Sequence, residues 1–215
     1  MTVSLVWVTP DLERMITYIA RVSNPEFQDK DDTRLLGYCI RKRHWSVFEM
    51  ANICTEFTTE RDVTRQLLRH GLAFRFQEFS QRYQTVDKLP PAPLREARMQ
   101  HPTNRQASMS CDDEALAEWW RSEQQRIVDL SNEVYAAAVN RGMAKELARS
   151  VLPEGLTTSR IYLNGWVRSW LHFSALRTGN GTQPETQRIA KAGWEIVGDL
   201  APTIADAWRE YMPHD

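Results

Sequence analysis

A long amphipathic pattern in the second half of the chain sets the strongest limit on the fold. Between Ser110 and about Asn140, apolar residues recur at helical spacing on one face: Trp120, Ile127, Leu130, Val134 and Ala138. Gly142 follows at once, where a glycine commonly ends a helix. The pattern predicts one continuous helix over residues 110–140.

The rest of the chain predicts further helices and only a few strands. Alternating and β-branched residues predict strands at 3–8 and 51–59. Apolar residues at helical spacing predict helices after Pro10, around 35–44, at 61–70 with Gly71 as its cap, and at 143–151, 164–177 and 183–211. Residues 85–110 hold four prolines, which indicates a long excursion or lid. Because the strands do not alternate with helices, the fold class expected is α+β, as a single domain over 1–215.

Composition and charge exclude several classes of protein. The chain is 42% hydrophobic and 26% charged, with a net charge of −1, so it is neither disordered nor expected to bind polymeric nucleic acid or an acidic membrane. Three cysteines without a CxxC pair argue against a disulfide framework or a zinc site, and no metal is expected. The first residues lack a signal-peptide pattern and no long apolar run is present, so we expect a cytoplasmic protein.

The segment at 66–83, QLLRHGLAFRFQEFSQRY, carries the densest group of polar side chains. Gln66 and Arg69 share a helix face, three residues apart. Arginines with serine and glutamine beside them suit a phosphate, because a guanidinium meets phosphate bidentately. A solvated helix end with surface ion pairs would have the same composition, and the residues alone leave both interpretations open.

RHGLAFRFQEFSQRY at 69–83 resembles the signature of the flavin-dependent thymidylate synthases, RHRxxSxNExSxRY. Gln77 stands where the pattern has Asn, and Gly71 replaces its third basic residue. One extra residue lies between His70 and Glu78. We therefore expect the chain path after the helix to differ from the family's.

Four other segments resemble the same family and occur in its order. They are RVS at 21–23, HWSVFEM at 44–50, ELARSVLP at 146–153, and NGWVRSWLHFSALR at 164–177 followed by TQPE. Met50 replaces a family His, and the gap from Asn164 to Arg168 is longer by two. Ordered matches along most of the chain are more specific than a single motif, so the chain is identified as a member of this family.

The resemblance implies an α+β fold with a small mixed sheet and a homotetramer whose active sites are shared between subunits. It implies reductive methylation of C5 of dUMP to dTMP, with FAD as cofactor and with methylenetetrahydrofolate and NADPH as co-substrates. In such an enzyme the cofactor supplies the difficult chemistry and the protein orients and tunes it.

The resemblance also assigns site residues. The nucleotide would be bound by Gln66, Arg69, Glu78, Ser80, Gln81, Arg82, Arg149 and Arg177. The flavin would be bound by His44, Ser46, Arg69, His70, Gly71, Glu78, Asn164, Arg168 and His172. Glu78 is expected to orient arginines or touch the sugar. Arg177 is the expected catalytic residue, and since a guanidinium cannot accept a proton it would stabilise the N3 anion of the pyrimidine.

Three other interpretations stay open at this point. The first is a relative that methylates UMP in specialised nucleoside biosynthesis, which the altered RHG segment would fit. The second is a thymidylate synthase with a cysteine nucleophile, although Cys39 and Cys54 lie in patterns typical of buried thiols. The third is a non-catalytic protein that binds flavin or nucleotide.

Overall fold

The computed structural model describes residues 1–179 and 181–211. The described residues form six strands: β1 Thr2–Val8, β2 Asn52–Glu60, β3 Phe74–Glu78, β4 Arg98–Gln100, β5 Ser108–Ser110 and β6 Thr158–Trp166. They form eight α-helices: α1 Leu12–Ala20, α2 Arg34–Arg41, α3 Arg61–Leu68, α4 Glu114–Asn140, α5 Lys145–Ala148, α6 Val167–Arg177, α7 Pro184–Leu200 and α8 Pro202–Tyr211. The α+β class is therefore confirmed. None of the described helices combines the length and apolar character needed to span a bilayer.

Four strands form one sheet in the order β1-β2-β6-β3, and β4 pairs with β5 in a separate hairpin. We expected a mixed sheet, and that expectation is wrong. The end of β2 meets the start of β6, where Arg61 N–H donates to Thr157 O, and the start of β2 meets the end of β6, where Val167 N–H donates to Ala51 O. These pairs make β2 and β6 antiparallel. Thr9 N–H, after the end of β1, donates to Asn52 O at the start of β2, and Phe79 N–H, after the end of β3, donates to Arg160 O near the start of β6, so the other two pairs are antiparallel as well. The alternation of residues along a strand does not specify the direction of the neighbouring strand. The antiparallel arrangement could therefore not be predicted from the sequence pattern.

Four predictions of secondary structure were wrong in part. The stretch at 74–78, expected to be irregular, is strand β3, and residues 164–166 belong to β6 rather than to the helix that follows. The predicted helix over 183–211 is two helices, α7 and α8, interrupted at Ala201. Helix α3 ends at Leu68, so Gly71 does not cap it, and Gly71 is not among the glycines with positive φ.

The chain divides into two compact units. The first contains Thr58–Arg69 and Gln77–Ile161, together with Met1, and we call it the α4 unit. The second contains Thr2–Phe57, His70–Phe76 and the chain from Tyr162 onward, and we call it the α6 unit. Each unit is described separately below.

An aromatic core organises the α6 unit. Phe74 meets Trp170 edge to face with ring centroids 4.9 Å apart, and Phe57 stacks on the same indole at 6.3 Å. The Trp170 indole N–H donates to Ile53 O at 3.3 Å. Gly165 lies directly against this core, because a Cβ there would come within 2.5 Å of the Phe74 ring. These contacts fix the position of helix α6, which carries several of the candidate site residues.

Helix α4 dominates the other unit and confirms the long predicted helix. The Asp113 side chain caps its start by accepting from Leu116 N–H at 3.0 Å, and Gly142 follows its end with φ of 84°. Only a narrow face of α4 is buried, through Gln124, Ser131 and Tyr135. Its apolar stripe is instead exposed in the single chain: Trp119, Trp120, Ile127, Leu130 and Val134.

Candidate active site

A half-buried carboxylate, that of Glu78, organises one end of the α4 unit. Helix α3 carries Arg61, Thr64 and Arg65 at three- and four-residue spacing, which places them on one face. Strand β3 ends at Glu78, whose carboxylate Oε1 accepts from Thr64 Oγ1 at 2.9 Å and from Arg65 Nη2 at 2.6 Å. Ser159 of β6 donates to the same oxygen at 2.8 Å. Glu78 therefore ties α3, β3 and β6 together at one point.

The charge of Glu78 is stabilised by these donors. Burial acts to raise the pKa of this carboxyl, but hydrogen bonds from Ser159, Arg65 and Thr64 outweigh it and hold the pKa below its ordinary value. Arg61 lies 3.7 Å from the carboxylate, and burial lowers the pKa of its guanidinium while Glu78 acts to raise it. Glu78 orients arginines in this structure, and the two it orients are Arg61 and Arg65.

A cleft of about 260 Å³ opens beside this network, and we call it the arginine cleft. Its lining comprises Arg61, Gln81, Glu146, Arg149, Ser150, Leu152, Glu154 and Thr157. Gln81 is 3% exposed, and its amide Nε2 has no hydrogen-bond partner among the described residues. A buried amide of this kind calls for a ligand acceptor. The lining also holds two guanidinium groups, Arg61 and Arg149, and two carboxylates, Glu146 and Glu154, with Glu154 lying 3.7 Å from Arg61 and Glu146 paired with Arg82. The guanidinium groups and the Gln81 amide are donors suited to a phosphate oxygen.

A second hollow of about 410 Å³ is lined by Ser80, Arg82, Tyr83, Ala144, Lys145 and Glu146. Glu146 lines both spaces, and it pairs with Arg82, whose Nε lies 2.9 Å from its carboxylate. Four of the residues expected to bind the nucleotide are thus brought together: Ser80, Gln81, Arg82 and Arg149. Gln66, half-buried on α3, and the exposed Arg69 line neither space.

In the α6 unit, Arg177 and His70 form a direct contact. Arg177 Nε donates to His70 Nε2 at 3.0 Å, and the His70 ring meets Phe173 edge to face with centroids 5.1 Å apart. Because a guanidinium can only donate, His70 must offer a bare Nε2, which fixes the imidazole as neutral with its proton on Nδ1. The contact orients the half-buried Arg177, which lies in the last turn of α6.

The other expected flavin residues of this unit lie largely at its surface. Arg168 and His172 occupy one exposed face of α6, four residues apart. Arg168 Nη1 pairs with Glu49. Glu49 ends the 3₁₀ helix Trp45–Glu49, and so the pair links α6 to the segment that carries the exposed His44 and Ser46.

Asn164 supplies a second unsatisfied group. Its side-chain Oδ1 is buried and has no hydrogen-bond partner among the described residues. The residue lies in β6, shortly before α6 begins. This oxygen is available to a donor from a ligand.

The altered RHG segment forms an exposed turn. Ala73 and Phe74 N–H groups both donate to His70 O, and Leu72 at the tip is 97% exposed. The Gly71 carbonyl accepts from Arg75 Nη1 at 3.0 Å. The extra residue is therefore accommodated by the turn, and β3 starts in regular geometry immediately after it.

The three cysteines lie away from the described clefts. Cys39 and Cys54 are buried as free thiols, and burial raises the pKa of both. A raised thiol pKa leaves little thiolate for nucleophilic attack. Cys111 precedes α4 and lines neither of the two hollows described above. The structure gives no support to the thiol mechanism.

Arg61 and Arg65 were not predicted from the sequence to belong to the site. Both precede the motif-like segment and look like ordinary helix-surface arginines. The available signal was their four-residue spacing on the helix that leads into the Arg69–Tyr83 segment, beside a motif carboxylate in need of partners. This spacing would have predicted Arg61 and Arg65 as ion-pair partners of Glu78.

Comparisons with known proteins agree along nearly the whole chain. A family model described as "Thymidylate synthase complementing protein" matches residues 4–203. A protein of Paramecium bursaria Chlorella virus 1 named "Probable flavin-dependent thymidylate synthase" is 46% identical over 91% of this chain and 89% of its own length. The "Flavin-dependent thymidylate synthase" of Synechocystis is 42% identical over 91% of this chain and 88% of its own length.

Solved structures give the same result for the fold. The UMP/dUMP methylase PolB of Streptomyces cacaoi, bound with 5-Br dUMP, superposes with a TM-score of 0.82 at 28% identity, covering 98% of this chain and 95% of that one. Its structure bound with 5-Br UMP gives a TM-score of 0.84 at 26% identity, covering 98% and 94%.

Proposed function

Because the chain belongs to the flavin-dependent thymidylate synthase family, we propose that it methylates C5 of dUMP to give dTMP. The methyl carbon comes from methylenetetrahydrofolate, and NADPH is the reductant. The arginine cleft is the observation that carries this proposal. It offers two guanidinium groups and one unsatisfied buried amide to a nucleotide phosphate.

The α4 unit supplies the nucleotide-binding residues. Arg149, Gln81 and Arg61 of the arginine cleft hold the phosphate, with Ser80 and Arg82 beside them in the adjoining hollow. Gln66 and Arg69 also contribute, as the family motif implies. Glu78 acts indirectly, since its carboxylate holds Arg61 and Arg65 in place.

The α6 unit supplies the residue that acts on the pyrimidine. Arg177 stabilises negative charge at N3, because its guanidinium stays protonated and keeps its positive charge. His70, which accepts from Arg177 Nε, keeps Arg177 oriented. The N3 proton would leave to water or to the flavin, since a guanidinium cannot accept it.

FAD fits the exposed surface of the α6 unit. The Asn164 Oδ1 lacks a partner, and Arg168, His172, His44 and Ser46 are accessible on linked elements. These residues, with His70 and Gly71 of the same unit, would hold the cofactor. The family resemblance also assigns Arg69 and Glu78 to the flavin, and these two residues belong to the α4 unit. FAD would supply the redox chemistry of the methyl transfer. The protein's own part is to bind it, orient it and keep water from the reacting atoms.

The protein assembles as a homotetramer with active sites shared between subunits. The apolar stripe of α4 supports this part of the proposal, because Trp119, Trp120, Ile127, Leu130 and Val134 would otherwise face water together. Within each subunit, the whole chain acts as one family domain, consistent with a match over residues 4–203. A cytoplasmic location suits its free thiols.

UMP is a second candidate substrate. The PolB structures carry 5-Br UMP as well as 5-Br dUMP, and the extended 69–73 turn follows a helix that carries nucleotide-binding residues. A pocket rejects an added hydroxyl by only about 10²-fold when it relies on shape. The ratio of kcat/KM for UMP and dUMP decides the point. Methylation confined to dUMP would remove UMP as a substrate.

Calorimetric titration with dUMP tests the arginine cleft. Arg149→Ala should weaken dUMP binding about tenfold to a hundredfold, because a charged hydrogen bond to phosphate is lost. Arg141→Ala is the matched control, since Arg141 is exposed at the end of α4 and lines no part of the cleft. Equal affinities for wild type and Arg149→Ala would show that the phosphate binds elsewhere.

A further inference from the structure

A cavity of about 600 Å³ lies in the α4 unit and has no role in the proposed reaction. Three segments form its walls: residues 85–92, the C-terminal half of α4, and residues 152–158. Its volume falls within the range of about 300–1,000 Å³ that is usual for small-molecule sites. Volume alone does not identify a binding site, so the chemistry of the lining residues must also indicate a ligand.

Tyr135 points to a ligand. The residue is 5% exposed and lines the cavity from α4. Its hydroxyl is buried and has no hydrogen-bond partner among the described residues. A buried hydroxyl left without a partner destabilises the fold, so native structures nearly always satisfy such a group. A ligand that carries a hydroxyl or carbonyl group would satisfy it here.

The remaining wall is mainly apolar. Val86 and Leu89 line it from the 85–92 segment, Val128 and Val139 from α4, and Leu152 from the third segment. Such surfaces favour an apolar ring body over a flexible polar chain. Exposed asparagines, Asn132 and Asn140, stand among the lining residues of α4. The lining is thus apolar with a few polar groups in fixed places.

The described lining offers no cation to an anionic ligand. Asp87 is the charged side chain among the described lining residues, and it is largely exposed and pairs with Lys88 at 3.2 Å. Hydrogen bonds from the Thr85 and Lys88 side chains lower the pKa of the Asp87 carboxyl. Nucleotides and folates carry negative charge and would find no cationic partner among these lining residues. This cavity and the arginine cleft therefore select different ligands.

We propose that this cavity binds a neutral small molecule with an apolar ring body and one hydroxyl or carbonyl group, which hydrogen-bonds to the Tyr135 hydroxyl. Leu152 and Thr157 line both this cavity and the arginine cleft. A molecule bound in the cavity would therefore contact two residues that also line the arginine cleft. The site is separate from every residue assigned to FAD or to the nucleotide.

The test uses the intact flavin-loaded protein and 2-naphthol as the probe, measured by titration calorimetry and by saturation-transfer NMR. We expect saturable binding of 2-naphthol and none of the anionic analogue 2-naphthoate. Tyr135→Phe should weaken 2-naphthol about three- to tenfold, because it removes one neutral hydrogen bond and keeps the ring. Unchanged affinity in Tyr135→Phe would overturn the assignment of the hydroxyl.

A blocking variant locates the site. Ala136→Trp fills the cavity from α4 and should abolish 2-naphthol binding, whereas Glu133→Trp, exposed on the same helix and outside the lining, should retain it. Circular dichroism and the melting temperature confirm that each variant is folded. No binding to the wild type, equal binding of 2-naphthoate, or full binding to Ala136→Trp would each overturn the proposal.

Discussion

Glu78 shows how one residue can serve both stability and function. Its carboxylate accepts from Thr64, Arg65 and Ser159, and it holds Arg61 at the edge of the arginine cleft. The same contacts join α3, β3 and β6. Removing this charge would leave two arginines without their anion and loosen the cleft at the same time.

Glu78→Gln should therefore cost about 2–4 kcal/mol in unfolding free energy at neutral pH, as expected when one partner of a largely buried ion pair is removed. The pKa of Glu78 is lowered in the folded protein, so its contribution is complete above the ordinary Glu value of about 4.3. That contribution is lost as pH falls through the folded pKa.

Urea unfolding of both proteins across the acid range measures the difference. The difference in unfolding free energy between wild type and Glu78→Gln should become smaller as the solution becomes more acidic. A gap that stays constant from neutral to strongly acidic pH would contradict the lowered pKa and the role of this carboxylate.

Arg177→Ala should lower kcat for methylation about 10²–10³-fold while the protein keeps its flavin, because one donor to a developing anion is lost. Arg14→Ala is the control, since Arg14 is exposed on α1 and is assigned no part in the site. Steady-state kinetics measures kcat, and the absorbance spectrum of each purified variant measures its flavin content. Near-normal turnover in Arg177→Ala would remove its catalytic role.

At the scale of elements, the helices were more predictable than the strands. Helix α4 follows its apolar period, but the pattern did not say whether the apolar stripe would be buried. Strand β3 was missed because its five residues lie inside a motif of charged residues. Strand β6 is nine residues long, but it runs directly into α6, and its last residues were assigned to that helix. Their partners lie far away in the chain, as the β2–β6 pairing shows. Local spacing carries no information about such pairing.

Part of the candidate site could be predicted to a similar degree. Ser80, Gln81 and Arg82 are neighbours in the motif-like segment, and in the structure Arg149 lies near them from a distant part of the chain. Arg61 and Arg65 were not assigned, because their role depends on where β3 delivers Glu78. That position is a property of the sheet and is absent from the local sequence.

Leu130→Glu tests the exposed stripe of α4. Leu130 is 63% exposed in the single chain, and burying such a side chain in an assembly is worth about 1.5–3 kcal/mol per subunit. A buried charge reverses that gain, so the variant should form smaller species at micromolar concentration. Light scattering coupled to gel filtration measures the mass.

The matched control is Gln125→Glu, which adds the same charge to an exposed position of α4 outside the stripe. It should assemble like the wild type. A wild-type monomer in solution, or an unchanged mass for Leu130→Glu, would contradict the assembly proposed for this helix.

At the scale of the whole molecule, the two compact units carry different parts of one proposed activity. The α4 unit carries most of the residues proposed to bind the nucleotide, and the α6 unit carries Arg177 with most of the residues proposed to bind the flavin. Membership of a flavin-dependent family supports the flavin route, and the raised pKa values of the buried Cys39 and Cys54 give no support to a thiol route. The central claim is therefore methyl transfer that needs flavin and needs no cysteine.

The direct test is product analysis. Purified protein loaded with FAD is supplied with dUMP, NADPH and methylenetetrahydrofolate labelled at its methylene carbon, and the nucleotides are analysed by mass spectrometry. We expect dTMP with the label in its C5 methyl group. Protein stripped of its flavin should form no dTMP unless FAD is added back. Absence of labelled dTMP from a folded, flavin-loaded sample, or undiminished formation without flavin, would contradict it.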